Sequence, residues 1–187
     1  PYVPGGVQRR IWELSRTLSL RGHEVTVFGM KHWPGDDIRH EQGVRLWGVC
    51  PPQELFVDGH RSIKEAVYFA WKVLPPLMKE RYDILDVASF PFFPCFPAAL
   101  HSLTGRSRLV ITWHEIWDDY WHQYLGAKGI FGKAIERLVS CLPHNAIAVS
   151  QSTKKDLEKL TQRSAEVIPS GVDMSMIESA LPSDQAT

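Results

Sequence analysis

The sequence has no excess of either charge, because 21 lysines and arginines balance 21 aspartates and glutamates among its 187 residues. A neutral domain produces no overall field that attracts nucleic acid or an anionic membrane, although a local patch can still do so. The three cysteines, Cys50, Cys95 and Cys141, form no Cys-x-x-Cys pair. The sequence therefore indicates neither a disulfide framework nor a zinc knuckle, and it predicts a reducing, cytoplasmic setting without a nucleic-acid partner.

Long hydrophobic runs are also missing. No stretch of roughly 18 apolar residues occurs, so no segment is expected to span a membrane. The sequence shows no signal peptide, internal repeat or low-complexity tract, and because it starts at Pro1 we expect further residues upstream. What the chain does have is 44% hydrophobic and 22% charged residues, enough for one globular core.

Strand-like and helix-like segments alternate along the chain. This alternation predicts an α/β fold, a Rossmann-like, mostly parallel sheet with helices on both faces. The predicted helices cover about 7–20, 62–74, 98–103, 129–141 and 150–160, and the predicted strands cover 24–29, 44–49, 83–87, 108–112, 146–149 and 166–168. Pro75 and Pro76 should end or kink the second helix. We expect residues 1–169 to form one domain and residues 170–187 to begin an interdomain linker and tail.

Two motifs stand where such folds bind ligands. Gly5 and Gly6 precede the first helix, where free N–H groups favour an anion such as a diphosphate, although glycines there also fit a tight turn. Thr112-Trp113-His114-Glu115 follows a predicted strand, at the sheet edge that binds ligands in open α/β folds. His114 is either a hydrogen-bonding or proton-carrying group or a structural loop histidine, and Glu115 is either a base or an exposed carboxylate.

Aromatic residues crowd the segment from 113 to 124, which includes Trp117. If exposed, these rings would stack on a sugar or contact an apolar acceptor tail; if buried, they would form core beneath a loop. The adjacent Asp118 and Asp119 lack the further ligands that a metal site needs, so no metal is predicted.

Four motifs, in this order, resemble those of family 4 (group 1) glycosyltransferases. Pro4-Gly5-Gly6-Val7 precedes a helix that runs into Leu20-Arg21-Gly22-His23-Glu24-Val25, and Thr112–Glu115 resembles a strand-end T-x-H-D/E. Ile147–Thr153 with Asp156-Leu157 is similar to A-V-S-x-x-T-x-x-D-L, and Val167–Asp173 is similar to V-I-P-N-G-V-D. Together these motifs cover most of the chain.

The resemblance implies one half of a GT-B fold, in which two facing Rossmann-like domains hold the substrates. The N-terminal domain mainly holds the acceptor and the C-terminal domain the nucleotide-sugar donor, and transfer usually retains the anomeric configuration without a metal or other cofactor. It implies that Gly5 and Gly6 present N–H groups to the donor diphosphate and that His114 contacts the donor sugar. Further candidates for cleft contacts are Glu115, Trp117, Ser150 and Thr153, of which the last two would first cap a helix.

Two features of that family have no counterpart in the sequence: the E-x7-E segment of the donor domain, and a first strand before Pro4. That strand is normally central, so its absence would leave neighbouring strand edges unpaired. We therefore expect an acceptor-side domain of a hexosyltransferase that is inactive alone and shares its nucleotide-sugar donor with a C-terminal domain. The acceptor would be a carbohydrate or lipid-linked, with possible peripheral contact at the inner membrane surface. The alternatives are a nucleotide-sugar 2-epimerase of the same fold and a non-enzymatic binding module.

Overall fold

The computed structural model describes residues 5–57, 60–161 and 163–171, in which helices and strands alternate as the sequence predicts. The helices are α1 (Gly6–Leu20), α2 (Ile63–Leu77), α3 (Cys95–Leu103), α4 (Tyr120–Leu125), α5 (Gly129–Cys141) and α6 (Gln151–Thr161). The strands are β1 (Thr26–Met30), β2 (Ile38–Glu41), β3 (Val44–Cys50), β4 (Phe56–Val57), β5 (His60–Arg61), β6 (Ile84–Ala88), β7 (Arg108–Trp113), β8 (Asn145–Ala148) and β9 (Glu166–Val167).

Four strands form a parallel sheet in the order β6-β7-β8-β9. Side chains alternate between the faces of a strand, so Leu109, Ile111 and Trp113 of β7 all point to the same face. None of the three is more than 2% exposed, and they share one hydrophobic cluster with α3, α5 and α6. Burying a large apolar side chain stabilises the fold by about 1.5–3 kcal/mol. This cluster therefore fixes the position at which β7 ends.

A second sheet has the order β1-β3-β2. β1 and β3 are parallel, whereas β2 and β3 form an antiparallel hairpin. The two turn residues, Gln42 and Gly43, have φ angles of 50° and 81°, the left-handed values that a type I′ turn needs. The sequence does not predict β2, because three of its four residues are exposed and no alternating apolar pattern marks it.

A seam without strand pairing separates the two sheets. In the described ranges β1 pairs only with β3 and β6 only with β7, so one edge of each strand has no neighbouring strand. Side chains cross the seam instead: the Phe28 and Tyr82 rings meet edge to face at 6.0 Å, and Arg45 forms an ion pair with Glu80.

Two helices differ from the sequence prediction. α2 does not end at Pro75 and Pro76 but continues to Leu77. Because the prolines lie in the last turn, nearby carbonyls still accept hydrogen bonds, Leu74 O from Met78 N and Pro76 O from Lys79 N. The aromatic segment contains α4, which has only six residues and so shows no clear helical period. Of the helices in the described part of the chain, none is both long and apolar enough to cross a bilayer.

Candidate active site

α1 begins at Gly5 and Gly6 with an uncapped N-terminus. No side chain caps it, and its first turn has no acidic residue. The first N–H groups of a helix lack partners within the helix and carry a partial positive charge. A Cβ at Gly6 would meet no atom within 4 Å among the described residues, so the space beside it is open. This end of α1 can therefore receive an anion, while Pro4 of the same motif lies outside the described residues.

His114 follows β7 directly, where the parallel strands end. Its side chain is half-buried, and its buried Nε2 atom has no hydrogen-bond partner among the residues that the structure describes. An unpaired buried polar atom costs about 1–3 kcal/mol. Burial lowers the pKa of His114, and so does the positive charge of Arg10, whereas Asp86 and Glu115 oppose the shift. The imidazole is therefore neutral at neutral pH, with one nitrogen able to donate and the other able to accept.

Arg10 of α1 influences the titratable groups at this sheet edge. It lies one turn into the helix, and its charge acts on both His114 and Asp86. The Asp86 carboxylate accepts a hydrogen bond from Thr112 Oγ1 at 2.8 Å. Burial raises the pKa of Asp86, whereas the hydrogen bond from Thr112 and the positive charge of Arg10 lower it. Since Thr112 points away from the face of Ile111, this polar group lies on the opposite side of β7 from the hydrophobic cluster.

Ser150 and Thr153 connect α6 to His114. Ser150 Oγ accepts a hydrogen bond from Thr153 N at 3.0 Å and so caps α6, as predicted. Thr153 is buried, and its hydroxyl donates to the backbone oxygen of His114 at 3.2 Å. The two residues therefore hold the backbone at His114, whereas contact with a ligand remains a prediction.

Trp117 lies at the centre of an aromatic cluster rather than alone on the surface. Its ring stacks on Phe90 at 5.4 Å and lies 4.6 Å from Trp121 and 5.0 Å from Tyr124. Trp121 is 5% exposed, whereas Tyr120 is 50% exposed. The segment is thus core at one side and surface at the other, which combines the two interpretations that the sequence left open. Glu115, before it, is exposed.

Glu136 of α5 is a residue that the sequence analysis missed. It is fully buried, and its carboxylate accepts hydrogen bonds from Trp117 N at 2.9 Å, Asp118 N at 2.8 Å and Trp121 Nε1 at 3.3 Å. Burial raises the pKa of Glu136, while the three N–H donors lower it and the charge of Asp118 raises it further. No local sequence pattern could have identified Glu136, because its donors lie 15 to 19 residues away.

Asp118 and Asp119 both contact Lys133, whose Nζ lies 2.8 and 2.6 Å from their carboxylates. A lysine rather than a set of further ligands faces the two acids. Within the described ranges no three metal-ligating side chains group together.

The arrangement can be compared with known proteins. The model of Glycosyltransferase Family 4 matches residues 4–176 of the 187-residue chain. The chain belongs to glycosyltransferase family 4. A search of curated proteins gives no match. Membership of family 4 implies a nucleotide-sugar donor and an acceptor as substrates, and the parallel α/β topology is that of a Rossmann-like half of GT-B. The matched span includes the glycines, His114 and the start of α6.

Proposed function

We propose that residues 5–171 form the acceptor-side half of a retaining hexosyltransferase whose donor site is completed by a second domain. The reaction breaks the bond between the anomeric carbon of the sugar and the diphosphate oxygen. A new bond joins that carbon to an acceptor oxygen, and the acceptor hydroxyl passes its proton to the departing diphosphate. The observation that carries the proposal is the buried Nε2 of His114, which has no partner among the described residues and lies at the edge where β7 ends, where the charge of Arg10 of α1 also acts.

Each group at this edge has a proposed task. Negative charge develops on the departing diphosphate, and the fixed N–H groups of Gly5 and Gly6 with the cation of Arg10 would stabilise it. The neutral imidazole of His114 would donate a hydrogen bond to a hydroxyl of the donor sugar. Ser150 and Thr153 would keep His114 in place through its carbonyl. The proposal assigns no metal or cofactor to these residues.

The acceptor would bind beside the aromatic cluster. The half-buried ring of Trp117 and the half-exposed ring of Tyr120 offer apolar faces, and the exposed carboxylate of Glu115 lies nearby in the sequence. Aromatic faces stack on sugar rings and also pack on hydrocarbon. We therefore propose a carbohydrate or lipid-linked acceptor, with the enzyme in peripheral contact with the membrane in the second case.

The test is an assay of the full-length protein with nucleotide-sugar donors and a panel of carbohydrate and lipid-linked acceptors. Nucleoside diphosphate should be released when an acceptor is present, and the product should keep the anomeric configuration of the donor. An inverted product would contradict the retaining mechanism. Conversion of the donor to its 2-epimer without acceptor would indicate the epimerase instead, and binding without turnover would indicate a non-enzymatic module.

A further inference from the structure

Among the described residues, no cationic side chain contacts the buried carboxyl group of Glu136 directly. Its carboxylate is surrounded by two backbone N–H groups and one indole N–H, while the nearby Lys133 contacts Asp118 and Asp119. A buried carboxylate is costly unless donors surround it. An apolar side chain at this point of α5 would avoid that cost, so the carboxylate must contribute something that hydrophobic packing does not.

The carboxyl group of Glu136 fixes the conformation of the backbone that follows His114. The Trp117 and Asp118 amides are consecutive, and both point at the same carboxylate. Asp118 has a φ of 37°, in the left-handed region that costs a non-glycine residue about 1–3 kcal/mol. Such a conformation persists only when its surroundings impose it, and the two hydrogen bonds that the Trp117 and Asp118 amides donate to Glu136 do so here.

The constraint lies close to His114 along the chain. The His114 carbonyl accepts a hydrogen bond from Thr153 Oγ1 at 3.2 Å, and the next backbone hydrogen bond along the described chain is the one from the Trp117 amide to Glu136. Only Glu115 and Ile116 lie between these two anchors. If the anchor at Trp117 is lost, the segment can rotate about the remaining one, and both the His114 imidazole and the Trp117 ring change position.

We propose that Glu136 is a positioning residue for sugar transfer, which sets the geometry of His114 and of the aromatic acceptor surface through the Trp117 and Asp118 amides. The inference rests on the proposed role of His114 in the reaction. It goes beyond that role because it assigns a task to a residue of α5 that touches neither substrate.

The test compares Glu136→Gln with Val139→Ala in the full-length enzyme. Glu136→Gln keeps the side-chain size but replaces one acceptor oxygen by an N–H donor, which repels one of the two amides. Val139 lies on the same helix and is fully buried, so Val139→Ala weakens the core but leaves the Glu136 carboxyl group and its hydrogen bonds in place. We expect Glu136→Gln to lower kcat about 10-fold or more, because small misplacements of reacting groups reduce rates steeply. Val139→Ala should keep kcat within a factor of about two.

Two measurements report on the position of the segment from His114 to Asp118 without an activity assay. Hydrogen exchange of the Trp117 and Asp118 amides should become about 10-fold faster or more in Glu136→Gln, and the imidazole resonances of His114 should shift; neither should occur in Val139→Ala. Unchanged His114 resonances, an unchanged kcat, or equal rate losses in both variants would overturn the proposal. If His114→Ala leaves the rate unchanged, the proposed role of His114 fails separately. Glu136→Asp keeps the carboxyl group and should recover part of the rate that Glu136→Gln loses. If Glu136→Gln does not fold, Glu136→Asp replaces it in the test.

Discussion

At the residue scale, His114 combines a buried Nε2 that has no partner among the described residues with a pKa below its ordinary value. In the full-length enzyme, His114→Ala should lower kcat/KM about 100-fold or more, because a hydrogen bond formed in the transition state is worth several kcal/mol. Steady-state kinetics measure the effect. His122→Ala is the matched control, since His122 is an exposed histidine of α4. Activity within a factor of about two of the unmodified enzyme would make His114 structural.

The same histidine links stability to pH. Burial lowers the pKa of both His114 and His144 below 6.5. The unfolded chain therefore binds more protons than the folded chain just below pH 6.5, and the free energy of unfolding falls as the pH falls through that window. Each histidine contributes less than about 1.4 kcal/mol per pH unit. Urea unfolding at several pH values should show a smaller acid loss for His144→Gln, and an unchanged slope would contradict the shift.

The sequence identifies some residues of the candidate site but not others. His114 and Ser150 were identifiable because a strand end and a helix start are local patterns. Asp86 gave one signal, a carboxylate within the otherwise apolar β6, yet its partner Thr112 lies 26 residues away. Glu136 gave none, since a glutamate in an amphipathic helix normally faces solvent. Pairings between distant segments depend on packing that local patterns do not encode.

At the element scale, the packing of α4 on α5 depends on two glycines. A Cβ at Gly129 would lie 2.3 Å from the backbone oxygen of Trp121, and a Cβ at Gly132 would lie 2.3 Å from its ring. Because Trp121 is 5% exposed, its ring has little room to move away. Substitution with alanine therefore forces the helices apart.

Gly132→Ala should lower the free energy of unfolding by about 1–3 kcal/mol, the usual cost of an overpacked core. Urea unfolding followed by the fluorescence of the aromatic cluster measures the loss. Gly29→Ala is the control, because a Cβ there would meet no described atom within 4 Å. A stable Gly132→Ala variant would mean that α4 is only loosely packed on α5.

The elements themselves follow from sequence where they are long and buried. α5 was predicted with its observed bounds, and β7 within one residue, because both show a clear apolar period. β2 and α4 were missed for a common reason: each is short, and its position is set by its neighbours, β3 and Glu136 respectively.

At the scale of the whole molecule, the proposal requires a second domain to complete the donor site. The chain of 187 residues alone should therefore bind nucleotide sugars only in the millimolar range, equivalent to about 4 kcal/mol. Water reaches the N–H groups of Gly5 and Gly6, and the attraction of Arg10 at an open surface is screened. Titration calorimetry of this chain with nucleotide sugars measures the affinity. Micromolar affinity, or turnover of the donor, would place the complete donor site within this chain.

The seam between the two sheets has a consequence for cooperativity. The sheet of β6 to β9 carries the large hydrophobic cluster, whereas every residue of β1 is only partly buried. No strand pairing joins the two sheets in the described residues. Units without shared strand pairing can open with separate free energies, and a chain composed of two such units departs from two-state unfolding. Trp47 of β3 reports on one unit and Trp113 of β7 on the other. We expect the denaturation curves followed by the fluorescence of Trp47 and of Trp113 to separate, with the sheet of Trp47 opening first. A strand that paired with both β1 and β6 would merge the two curves into one transition.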